Sequence, residues 1–127
     1  MKKLLIIPLL FACYMGIGQA VNPASIIGKP IRIGNLLVAQ NDFPNQMNWI
    51  DAKKASAALD NGWRLPTTKE LAILYINRAE IGGFEYNVYW SSKEYDSNHA
   101  WFQSFWTGVQ SDVNKVNAIF VRAVRSL

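Results

Sequence analysis

The stretch GFEYNVYWSSKEYDSNHAWFQSFWTG, Gly83 to Gly108, decides the fold. It holds nine of the chain's sixteen Phe, Trp and Tyr residues. Upstream, apolar residues recur at helical spacing; within this stretch that period disappears. VYWSS reads as a strand, KEYDSN as a turn and HAWFQSFW as a second strand. Along AWFQSFW the pleat separates Trp101, Gln103 and Phe105 from Ala100, Phe102, Ser104 and Trp106. Both sets carry aromatic rings, although a small domain that buries one sheet face needs them on only one. One set is therefore expected to be core and the other partly exposed, where rings give large rigid contact area at small entropic cost. The alternative is that Phe102 and Trp106 are covered by the loop Thr107–Ala118.

Downstream, TGVQSDVNKVNA reads as an irregular or hairpin loop and IFVRAVRSL as a closing strand. Upstream, in WRLPTTKELAILYINRAEIGG, Thr67 is a good N-cap with Glu70 three residues on, and Leu71, Leu74 and Tyr75 form the apolar face. Gly82-Gly83 ends that segment. Trp63 and Leu65 are expected to pin the preceding connection into the core. Between them, Arg64 is expected to tie several loop carbonyls together through a buried or half-buried guanidinium. An earlier helix is capped by Asn48, with Asp51 in its first turn and Trp49, Ala52, Ala55, Ala58 and Leu59 at helical spacing. Asn61-Gly62 stops it. KPIRIGNLLVAQND reads as one or two strands around a Gly34-Asn35 turn, and VNPAS as a polar leader. The order of strand, two helices and then several strands argues an α+β fold rather than βαβ units.

The N-terminus reads as a targeting segment. Lys2 and Lys3 precede the apolar LLIIPLLFACYMGIG, and Gly18 and Ala20 stand where a signal peptidase reads small residues. Residues 1–20 are expected to be a signal peptide and residues 21–127 a single exported domain, secreted, periplasmic or at the cell surface. The alternative is a lipoprotein signal in which LFAC ends at a lipidated Cys13, making an outer-membrane lipoprotein. On either reading the exported domain has no thiol, and so no disulfide, cysteine nucleophile or cysteine-based metal site. Without Lys2 and Lys3, eleven basic residues stand against nine acidic ones. No Lys/Arg cluster appears, and this is not the balance of a nucleic-acid-binding protein.

No catalytic pattern is visible. His99 is the only histidine, without a nucleophile or ligand spacing around it. The two hydroxyls of WSS lack an accompanying elbow or base. Glu94, Asp96, Asn98, Asp112 and Asn114 are rich in oxygen, but turns attract Asp and Asn anyway. No enzyme activity, cofactor or metal is expected.

GWRLPTTKELAILY, IGGF, YWSSKEYDSNHAWFQSFWTGVQ and VRAVR, in this order from Ile33 to Arg125, resemble the Lcl C-terminal-type domain of bacterial surface proteins. The resemblance implies a C-type lectin-like fold: two helices on a small, mainly antiparallel twisted sheet, with the terminal strands close together. It implies that Trp63, Arg64, Leu65, Trp90, Trp101, Phe105, Arg122 and Arg125 are scaffold. It further implies that Tyr95, Phe102, Ser104, Trp106, Val109, Ser111, Val113, Val116 and Phe120 face a ligand. Part of this family serves as the variable protein of diversity-generating retroelements, and such rewriting would fall on Tyr95 to Phe120. The formylglycine-generating enzymes share the broad fold but act through paired cysteines, which residues 21–127 lack. The lectin motifs for calcium-dependent sugar binding are also absent. The expected function is an exported, non-enzymatic module that binds a protein or glycan at the cell surface through residues 94–118. The alternative is a structural or assembly subunit of a surface appendage or envelope layer, with self-association through its sheet edge and aromatic rings.

Overall fold

A computed structural model describes residues 21–127. The expected signal peptide and Cys13 lie outside the described residues. Within them the chain runs α1 (Pro23–Ile27), β1 (Ile31–Ile33), β2 (Leu36–Val38), α2 (Trp49–Ala57), α3 (Thr68–Ile76), α4 (Arg78–Ile81), β3 (Val88–Glu94), β4 (His99–Ser104), β5 (Gln110–Asn114) and β6 (Val124–Ser126). The helix starts follow their caps. Asn48 accepts from the Asp51 amide, and Thr67 and Glu70 close a reciprocal capping box.

The strands form two three-stranded antiparallel sheets, ordered β1-β2-β6 and β3-β4-β5. The segment from Ile119 to Ser126 couples them. It bonds to the 39–47 stretch through Ala39 N–H to Ala123 O, Phe43 N–H to Val121 O and the Met47–Ile119 bridge. It also meets β3, where Trp90 N–H donates to Phe120 O and Phe120 N–H to Val88 O. The expected closing strand is therefore mostly a seam of single bridges, with only Val124–Ser126 in a regular ladder. VNPAS opens a short helix that Asn22 caps. TGVQSDVN, expected as loop, supplies β5.

Two apolar clusters lie on the two faces of the β3-β4-β5 sheet. Trp49 and Ala52 of α2 pack with Trp63, Trp90, Ala100 and Val121 on one. Leu71 and Leu74 of α3 pack with Val38, Tyr89, Phe105 and Val124 on the other. The buried indoles of Trp49 and Trp90 donate from Nε1 to Ser91 O and Met47 O, both at 2.8 Å.

The polar tie expected of Arg64 belongs to Arg122. Its guanidinium is fully buried, donates to Asp42 Oδ1 at 2.7 Å, to Ala39 O and to Gly82 O, and lies 4.1 Å from the Phe84 ring centroid. Tyr89 donates to the other Asp42 oxygen at 2.7 Å, and its hydroxyl accepts from the Glu85 amide. Burial pushes the Asp42 carboxyl above its ordinary value, with the Arg122 charge working against it. Burial, then the charge of Asp42, also raises Tyr89 far above a free phenol. Gly83 belongs to this arrangement: its φ is +79°, and a Cβ there would stand 3.1 Å from Arg122 Nη2.

Arg64 is instead half-exposed and forks onto both Glu70 oxygens at 2.7 and 2.9 Å, also reaching Ser126 Oγ at 2.8 Å. Its single carbonyl contact is Leu65 O. It remains structural, joining the α3 cap to β6. The hydrogen bonds from Arg64 hold the Glu70 carboxyl below its ordinary value. A depressed carboxylate contributes stability that is fully present above its unfolded value, here 4.5, and is lost as pH falls through its folded value. Asp42, shifted upward, acts in the opposite sense. Comparing wild type with Glu70→Gln cancels the Asp42 contribution. The difference in stability between them, from urea unfolding, should be largest above about pH 5 and shrink steadily below pH 4.5. A pH-independent difference would show that the pair does not set it.

Candidate binding surface

The residues expected to form one ligand face are distributed over two ends and one flank of β4. Tyr95 lies in the β3–β4 turn and Trp106 in the β4–β5 turn. Strand β4 between them has six residues, about 20 Å of extended chain. Phe102 lies between, opposite Trp90 in the β3–β4 register, half-buried against the Trp90 cluster. Val113 packs on the same cluster, and Ser111 is half-buried beside it. Phe120 is half-buried against Tyr89. Val109 and Val116 are exposed.

The expected division of the pleat is reversed in the middle of β4. Phe102 and Ala100 face the Trp90 cluster, so Phe102 belongs with the core. Trp101, expected inward, is half-exposed, edge-on to Tyr95 at 5.6 Å. Sheet faces covered on both sides explain this: aromatics on both sets do not require either set to be wet. Ser104, expected to face ligand, is 8% exposed and its hydroxyl accepts from the Trp106 and Thr107 amides. It builds the turn. Phe105 is buried, as are Trp63, Leu65 and Trp90, while Arg125 is half-buried. Phe102→Ala should therefore cost about 1.5–3 kcal/mol, a fraction of the loss at a fully buried Phe. A change below about 0.5 kcal/mol in chemical unfolding would return Phe102 to the surface set.

The β4–β5 turn and the segment before β3 carry an exposed aromatic pair. Trp106 is 69% exposed and Tyr86 75%, and their rings meet edge to face at 5.5 Å. Both sit on backbone that cannot move freely. Phe105 N–H donates to Asn87 O at 2.8 Å, tying the segment before β3 to the turn. Gly108 N–H returns to Ser104 O at 2.9 Å. Beneath the turn the buried Gln103 donates to Gly108 O at 2.8 Å and accepts from Gln110, which also donates to Thr68 O. Gly108 has φ +83° and presses on the Tyr75 ring, which a Cβ would approach to 2.8 Å. The Arg78 guanidinium lies over the Tyr75 ring, 4.0 Å from its centroid.

Sequence reading missed Tyr86, Asn87, Gln103 and Gln110 as parts of this surface. FEYN has no strand alternation, and an isolated glutamine carries no sign of being buried. At the opposite end, Asp96 caps the β3–β4 turn through the Asn98 and His99 amides and meets His99 Nδ1 at 2.9 Å. The hydrogen bond from His99 lowers the Asp96 carboxyl. Lys115 pairs with Glu94. Among the described residues no cluster of His, Cys, Asp or Glu could hold a metal ion, and no helix is long and apolar enough to cross a membrane.

Among the described residues, four helices and two small antiparallel sheets, closed by a terminal seam, make an α+β domain whose solved structural neighbours are C-type lectin-like. A chain of the complex between botrocetin and a mutant von Willebrand factor A1 domain superposes with a TM-score of 0.57 at 12% identity, covering 79% of this chain and 98% of that one. Botrocetin itself, C-type lectin-like, gives 0.57 at 12%, covering 78% and 96%. The Lcl C-terminal domain model matches residues 33–125, and the chain belongs to that family. No curated protein matches.

Proposed function

We propose that this chain is an exported, non-enzymatic binding module whose contact surface is centred on Trp106 and Tyr86. The observation that carries the reading is an exposed edge-to-face ring pair on a turn held by the buried Gln103 and the half-buried Gln110. Contacts made by rigid aromatic side chains lose little entropy on binding, and Trp and Tyr are enriched among residues that dominate binding energy. Val109, exposed on the same turn, extends the surface that Glu94–Ala118 was expected to supply. Tyr95, at the other end of β4, lies outside it. Among neighbours of this fold, botrocetin is found in complex with a von Willebrand factor domain, which supports a protein as the partner here. A glycan is the other ligand class the surface suits.

The test is a screen of the purified protein against a printed glycan panel and a displayed protein library, repeated with Trp106→Ala and Tyr95→Ala. The expected result is ligands that Trp106→Ala loses and Tyr95→Ala keeps. Ligands indifferent to Trp106 would overturn the reading. Sedimentation of the ligand-free protein addresses the assembly alternative: a monomer is expected, and a stable ordered oligomer would favour a structural subunit.

A further inference from the structure

The β3-β4-β5 sheet ends in an edge with nothing on it. The opposite edge is occupied, because Trp90 N–H donates there to Phe120 O, Phe120 N–H to Val88 O and Ser92 N–H to Pro66 O. At β5 the ladder is bracketed by Ser104 N–H to Val109 O and Lys115 N–H to Asn98 O, both 2.8 Å. In an antiparallel pair, alternate residues direct both backbone groups at the neighbour. Residues 109, 111, 113 and 115 thus face β4, and Gln110, Asp112 and Asn114 direct theirs outward. The Asn114 carbonyl is used by the Asn117 amide. Among the described residues, the N–H and C=O groups of Gln110 and Asp112 have no partner across that edge.

Exposed edges are ordinarily blunted by proline, lysine, a bulge or shortness. Gln110–Asn114 has five residues and none of those side chains, and its register with β4 is unbroken. Asp112 adds a charge. It sits opposite Trp101, half-exposed, and its carboxylate has neither ion pair nor hydrogen bond among the described residues. The fullest antiparallel pairing of two β5 strands would set two Asp112 carboxylates against each other, which is unfavourable. A foreign strand with a basic residue at that place would meet the carboxylate and, with a long side chain, the Trp101 ring beyond it.

We propose that β5 accepts an extended segment of a partner protein as a fourth strand, with an arginine or lysine of that segment opposite Asp112. This is strand addition to an open edge, in which the backbone supplies affinity and alternate side chains supply choice. The site is separate from the Trp106 turn and does not depend on it.

The probes are two capped pentapeptides, TVRVT and TVEVT, titrated into the isotope-labelled protein and followed by amide NMR. Gln110 and Asp112 amides should shift, and the arginine peptide should bind about three- to fivefold tighter than the glutamate one. Asp112→Asn should erase that preference, and Trp106→Ala should leave it intact. Asp112→Pro, which removes an outward N–H without breaking the β4–β5 ladder, should abolish binding. If that variant fails to fold, Asp112→Asn decides alone. Unmoved β5 amides, equal affinity for both peptides, or a concentration-dependent dimer paired through β5 would overturn the proposal. Since Trp106→Ala is scored separately, loss of the Trp106 surface and loss of the edge are distinguishable.

Discussion

Asp42→Ala is expected to destabilise the protein by about 3–5 kcal/mol, the usual cost of stranding one partner of a buried ion pair. Arg122 is fully buried, and Asp42 is its one ionic partner among the described residues. Removing the carboxylate also leaves the Tyr89 hydroxyl without its acceptor. In a domain near a hundred residues this loss should lower the thermal midpoint by roughly 12 °C or more. The double variant Asp42→Leu with Arg122→Met should recover much of the loss, because burial of the charges, and not their absence, is costly. Additive losses in the two single variants would show that the pair is not coupled. The network holds four separate pieces of chain: the 39–42 loop, Gly82-Gly83, the segment before β3, and the terminal seam. Its failure should therefore be global rather than local.

Trp106→Ala carries the second large effect, and it should leave folding almost untouched. A ring that is 69% exposed contributes little to the core, and surface substitutions of this kind change stability by about 0.5 kcal/mol or less. Binding is another matter. Truncating a central aromatic contact commonly costs about 2–4 kcal/mol, a loss of roughly 30-fold or more in affinity. Tyr86→Ala should follow in the same direction by a smaller factor, since it removes both a contact and the ring that orients Trp106. The separation of the two readouts is what distinguishes a contact residue from a scaffold residue.

Much of the scaffold was legible in the residues. Asn48 and Thr67 mark their helix starts because a side-chain oxygen capping free amides is a local interaction. Gly34-Asn35 marks the β1–β2 turn for a similarly local reason. The boundaries that failed depend on distant chain. β5 is polar at every position but Val113, and only pairing with β4 makes it a strand. The role expected of Arg64 fell to Arg122 because which arginine is buried depends on where Asp42 lands, eighty residues away in sequence. The division of rings failed for a related reason. Alternation along β4 assigns residues to two faces but does not say that each face has its own helix and cluster. Trp101 and Trp106 belong to neither cluster, and of the two only Trp106, past the end of the strand, is mostly exposed.

The proposed function requires Trp106 and Tyr86 to form a wet, fixed contact surface on a scaffold that does not need them. Trp106→Ala puts this to the test through its thermal midpoint, taken together with its affinity for a ligand that the wild-type protein retains in the screen. The midpoint should stay within about 4 °C of wild type, and affinity should weaken roughly 30-fold or more. A midpoint that falls as far as that of Phe102→Ala, or a ligand held as tightly as before, would contradict it.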